Sequence, residues 1–201
     1  MKLARKGQST KIARKKPSSK GPAFSRLEVS LAWSGIDADL DLAVMFKPKG
    51  SSEIGLCWGL DVGSLSEFPF MLHSGDEAGD DAEETVVIQD PSAIEKAWIF
   101  VWEYGDDETG QGGMLEGVPA RFDEGEISVI IEDDLGNETE VSLETVGAGA
   151  NCCCIAILDC SGDEIELSNQ SSAGLIHDLA ETEQLLDVVN GRTPKHGSAY
   201  D

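Results

Sequence analysis

The residues best suited to chemistry are carboxylates. Asp37, Asp39 and Asp41 alternate with Ala38 and Leu40, and in extended backbone the two-residue side-chain period places all three on one face. Anions crowded in this way repel one another, and a hard divalent cation that accepts six to eight oxygen ligands relieves the repulsion. An EF-hand is excluded. A loop starting at Asp37 would need Gly at its sixth position and Glu at its twelfth, where this chain has Leu42 and Pro48. A site built here must therefore join separate loops. The second acidic stretch, residues 75–84, contains Asp76, Glu77, Asp80, Asp81, Glu83 and Glu84, and Gly75 and Gly79 permit the tight turns that let carboxylates converge. In a chain this acidic such runs also serve simply to solvate loops, and spacing alone weighs the two readings equally.

Other chemistries find less support. Cys57, Cys152, Cys153, Cys154 and Cys160 form no paired Cys-x-x-Cys elements, so they read as small core residues rather than a thiolate metal site. His73, His177 and His196 are scattered, with no nucleophile partner and no triad. Asp106, Asp107 and Glu108 open a glycine-rich stretch and rank third as loop donors, while the absence of a following Lys-Ser or Lys-Thr rules out a phosphate loop. The chain reads as a non-enzyme with no evident small-molecule substrate.

The elements that must position these residues are strands. Leu27, Val29, Leu31 and Trp33 alternate with more polar positions, and Leu40, Leu42, Val44 and Phe46 repeat the pattern after a short connection, which predicts a hairpin. Further strand signals fall at residues 54–58, 85–88, 97–104, 127–132, 138–143, 151–158 and 164–167. Many short strands with no long helix indicate an all-β protein, an antiparallel β-sandwich. Trp98, Phe100, Trp102 and Tyr104 share one face of their strand and Ala97, Ile99 and Val101 the other, as in a central strand packed on both sides. Leu175, Leu179, Leu186 and Val189 recur at helical spacing between Ser171/Ser172, taken as caps, and Asn190-Gly191, so one short C-terminal helix docking on the sandwich is expected.

Charge divides the chain. Residues 1–26 hold nine of the fifteen Lys and Arg and no acid, which leaves a net charge of −32 on the remainder. So acidic a body repels nucleic acid and anionic membrane and takes cations as natural partners. Residues 1–25 have few large apolar groups and read as a disordered basic arm, the one region that could meet nucleic acid or an anionic membrane. The expected division is arm 1–25, sandwich 26–170 and helical extension 171–201. No apolar run approaches the roughly eighteen residues of a membrane span, and the N-terminal stretch lacks the apolar core of a secretory signal. With an odd number of cysteines, the chain is expected to be cytoplasmic.

Trp33, the triplet Asp39-Leu40-Asp41 opening an apolar strand, and His73-Ser74-Gly75-Asp76 followed by Gly79-Asp80-Asp81 resemble the pattern of the tellurium-resistance TerD family. The similarity spans roughly Leu27 to Gln170. It implies a β-sandwich that binds calcium through Asp-rich loops and serves a response to tellurite and other chemical stress. The ligand set it implies is Asp39, Asp41, Asp76, Asp80 and Asp81, with Asp37 and Glu83 as supports. Protein partners or self-association are expected. The alternative is a scaffold without metal that works through its basic arm and C-terminal helix.

Overall fold

The computed structural model describes residues 1–14, 26–34, 40–75, 83–103, 122, 126–144, 150–177 and 179–192. Its elements are β1 (Lys2–Leu3), β2 (Ser9–Arg14), β3 (Leu27–Ser34), β4 (Leu40–Pro48), β5 (Gly55–Cys57), β6 (Gly63–Ser64), β7 (Met71–His73), β8 (Thr85–Ile88), β9 (Ile94–Glu103), β10 (Glu126–Asp133), β11 (Glu138–Ser142), β12 (Cys152–Asp159), β13 (Glu164–Gly174) and α1 (Thr182–Val189). The strands form two sheets, in the orders β1-β11-β10-β3-β8-β7-β6 and β2-β13-β12-β9-β4-β5. All described pairings are antiparallel except β1 with β11.

Alternation sets the packing. Leu27, Val29 and Leu31 of β3 and Leu40, Leu42, Val44 and Phe46 of β4 point into one core between the sheets. The two strands do not form the expected hairpin: β3 pairs with β10 and β8, whereas β4 pairs with β9 and β5 in the other sheet. The physical reason is that both strands have an apolar face. In a hairpin these faces would lie side by side in one sheet, whereas in opposed sheets they cover each other.

The outer face of the second sheet is buried as well. Trp98, Phe100 and Trp102 of β9 lie there with Ala43, Met45, Cys152 and Cys154, under Ile176, Leu179, Leu185 and Val188. The aromatic stripe is thus core, and α1 docks on the chain's own sheet. Two parts of the helical expectation are corrected. Ser171 and Ser172 lie within β13 rather than at a helix start, and the N-cap is Glu181. A boundary at 170/171 therefore cuts a strand that runs to Gly174. In β12 a register shift between Cys154 and Ala156 lets Cys153, Ile155, Ala156 and Leu158 all face the inter-sheet core.

The arm expected over residues 1–25 is also corrected. Residues 1–14 carry β1 on the edge of the first sheet and β2 on the edge of the second, so the intervening residues cross between the layers. Leu3 is buried, and buried Asn169 of β13 donates to Leu3 O at 3.0 Å and to Ser142 O at 2.7 Å, tying the crossing to both sheets. Lys2 pairs with Glu140 at 2.8 Å and Lys11 with Glu164. The hydrogen bond from Lys2 holds the Glu140 carboxyl below its usual range. Composition misled because it measures how much apolar surface a segment can bury, and these strands are held chiefly by backbone pairing. Residues 15–25 lie outside the described set.

Candidate functional site

Of the seven candidate metal ligands, Asp37, Asp39, Asp76, Asp80 and Asp81 lie outside the described residues. Asp41 and Glu83 are described. Asp41 sits near the start of β4 on the parity of Ala43 and Met45, the outer side of its sheet, opposite Trp102 of β9. Glu83 is exposed, just before β8. Among the described residues no group of three or more His, Cys, Asp or Glu side chains is arranged to hold a metal ion.

The structure does build a polar hub between β4, β7 and β8. Glu84 and His73 are 1 % and 3 % exposed, a rare burial for ionisable groups without partners. Glu84 precedes β8 on the inward parity of Val86 and Ile88, and His73 ends β7 on that of Met71. Both reach from the first sheet to the backbone of β4 in the second. The Leu42 N–H donates to Glu84 Oε2 at 2.5 Å. The Gly75 N–H donates to His73 Nδ1 at 3.0 Å, which leaves the proton on Nε2 to be donated to Leu42 O at 2.9 Å. His73 Nε2 and Glu84 Oε2 are 3.6 Å apart.

This hub exists because β5 is short. It pairs with β4 only from Val44 to Phe46, so the next outward-facing backbone groups of β4, the N–H and C=O of Leu42, have no strand partner on that side. Left bare in a buried position they would cost about 1–3 kcal/mol each. The carboxylate and the imidazole take the place of the missing strand. The consequence for the acidic segments is geometric. Leu42 follows Asp41 directly, while His73 and Glu84 stand at the two ends of residues 74–83, so one set of buried hydrogen bonds anchors the ends of both acidic stretches.

Sequence reasoning met Glu84 only as a member of the acidic stretch and His73 only as a scattered histidine and part of the family-like pattern, and gave neither a buried role. Their signal was available: counting back by two from Ile88 and Val86 places Glu84 on the buried face, and counting forward from Met71 does the same for His73.

The five thiols are free and buried. Burial pushes the Cys57 and Cys160 thiols up to about 12 from an ordinary 9.0, and raises Cys152, Cys153 and Cys154 as well. They pack in the two apolar clusters, Cys57, Cys153 and Cys160 between the sheets and Cys152 and Cys154 beneath α1.

No helix among the described residues is long and apolar enough to cross a membrane. No family model, curated protein or solved structure matches the chain.

Proposed function

We propose that the chain is a non-catalytic calcium-binding β-sandwich module in a chemical-stress response of the tellurite-resistance type. The observation that carries this reading is the buried Leu42–His73–Glu84 hub, because it anchors the ends of both acidic segments at one locus. The donor chemistry fits a hard cation. The acidic segments offer carboxylates and backbone carbonyls, and the softer thiols are protonated and enclosed elsewhere. Asp39, Asp41, Asp76, Asp80 and Asp81 would hold the ion, with Asp37 and Glu83 in support. The ion would supply charge neutralisation and order to the loops.

The alternative of a metal-free scaffold relies on the basic arm and the C-terminal helix. Both are at least partly engaged within the molecule: α1 covers its own sheet, and residues 1–14 complete two sheet edges.

Calorimetric titration with calcium, alongside melting in chelator and in millimolar calcium, tests the proposal. At a hundredfold excess over Kd one site adds about 2.7 kcal/mol, a rise in Tm of roughly 5–10 °C for a domain of this size. Asp41→Asn and Asp81→Asn should each weaken binding while leaving the metal-free protein as stable as the parent or slightly more so, since each removes a ligand and a repulsive neighbour together. Equal Tm values with and without calcium would overturn the reading.

A further inference from the structure

Among the described residues six large apolar side chains are exposed, and four of them, Leu60, Val62, Leu65 and Phe68, fall within nine positions. They occupy the lateral edge opposite β1 and β2, where both sheets end in their β5 and β6 strands, three and two residues long. The segment is held firmly. Trp58 and Asp61 close a bridge, and Val62 O accepts from the His73 N–H at 2.8 Å. Gly63 has φ +77, and a Cβ there would lie 2.5 Å from Met71 O. Phe68 is 52 % exposed, yet its ring meets Phe46 and Phe70 edge-on at 5.9 and 6.2 Å. Apolar groups presented on so constrained a turn lose little entropy when covered, which favours their use as anchors.

The charge around them narrows the partner. Residues 50–74 contain three acidic side chains, Glu53, Asp61 and Glu67, and no Lys or Arg, and all three are exposed at this edge. At the opposite edge, by contrast, Glu140 and Glu164 are neutralised by Lys2 and Lys11. Nucleic acid and anionic membrane are repelled from an edge of this sign. We propose that this edge docks an extended cationic segment of another polypeptide, whose apolar side chains cover Leu60, Leu65 and Phe68 while its Lys or Arg side chains meet Asp61 and Glu67. The inference does not depend on calcium binding.

A synthetic heptapeptide alternating Lys with Val or Leu serves as the probe, with heptalysine as the charge-only control, each titrated against the full chain by fluorescence anisotropy. The alternating peptide should bind about tenfold more tightly than heptalysine, and its affinity should fall between about 50 and 300 mM salt. Leu60→Ser, at a position 79 % exposed and so without cost to folding, should weaken the alternating peptide several-fold. Asp61→Asn with Glu67→Gln should remove most of the salt dependence. Leu135→Ser, equally exposed but remote in sequence on the β10–β11 turn, should change nothing. The proposal fails if the two peptides bind alike, if Leu60→Ser and Leu135→Ser behave alike, or if the free protein self-associates through this edge and Leu60→Ser abolishes that association.

Discussion

Replacing Glu84 by alanine tests the hub most directly. The carboxylate is buried and accepts the Leu42 N–H at 2.5 Å. Truncation leaves that donor unpaired in the interior, at about 1–3 kcal/mol, and removes a charge-assisted hydrogen bond of similar worth. It also deletes the buried Cγ methylene, adding about 1 kcal/mol. Against this stands the relief of no longer burying a carboxylate, which offsets part of the loss. The net expectation is a destabilisation of about 2–4 kcal/mol, or a fall in Tm of roughly 5–15 °C for a chain of this length. Glu84→Gln separates acceptor from charge: its amide oxygen can still receive the Leu42 N–H, so it should cost under about 1.5 kcal/mol. Urea unfolding at neutral pH, with equal m-values for parent and variants, is the assay. If Glu84→Ala lies within about 0.5 kcal/mol of the parent, Leu42 finds another partner and the hub has no structural weight.

Two further outcomes follow from the burial pattern. Deleting residues 1–14 should destabilise the fold by at least about 2 kcal/mol, since it uncovers the core around Leu3 and strips a strand from each sheet edge, and an unchanged urea midpoint would mean that β1 and β2 contribute nothing. The thiols give a pH prediction. Their folded pKa values are raised, with Cys57 and Cys160 at about 12. The unfolded chain therefore releases their protons first, and the stability they contribute, complete below about pH 9, is lost as pH rises towards 12. Urea midpoints that stay level between about pH 8 and pH 11, or thiols that alkylate in the native state faster than the protein unfolds, would contradict their burial.

How much of this was legible depended on which force set each element. The two-residue alternation in β3, β4, β9 and β10 is a record of burial, so these strands and their inward faces could be read from Leu27, Leu42, Val101 and Ile131 alone. Sheet membership could not. The same alternation satisfies a hairpin and a pair of opposed strands equally, and only the demand that both apolar faces be covered separates them. β6 and β7 escaped notice because strands of two and three residues carry no measurable period. β1 and β2 escaped because their chief stabilisation, backbone pairing to β11 and β13, leaves no trace in the side-chain pattern beyond Leu3 and the half-buried Ile12.

The acidic segments pose the converse difficulty. A run such as residues 76–84 looks uniform in sequence because every charged member is acidic, yet Glu83 is exposed and Glu84 is 1 % exposed, one peptide apart. What separates them is the pleat of β8 extended one step backwards, which turns Glu84 inward to the gap that β5 leaves beside Leu42. The carboxylate that organises this end of the sandwich was thus hidden among those proposed to hold a cation. The two roles also respond differently to neutralisation. Loss of charge at Asp41 or Asp81 should relieve the metal-free protein. Truncation at Glu84 should harm it whether or not calcium is present, because its partner is the Leu42 N–H rather than the ion. A calcium-dependent rescue of Glu84→Ala to parental stability would place Glu84 among the ligands instead, and would dissolve the distinction between the support and the site.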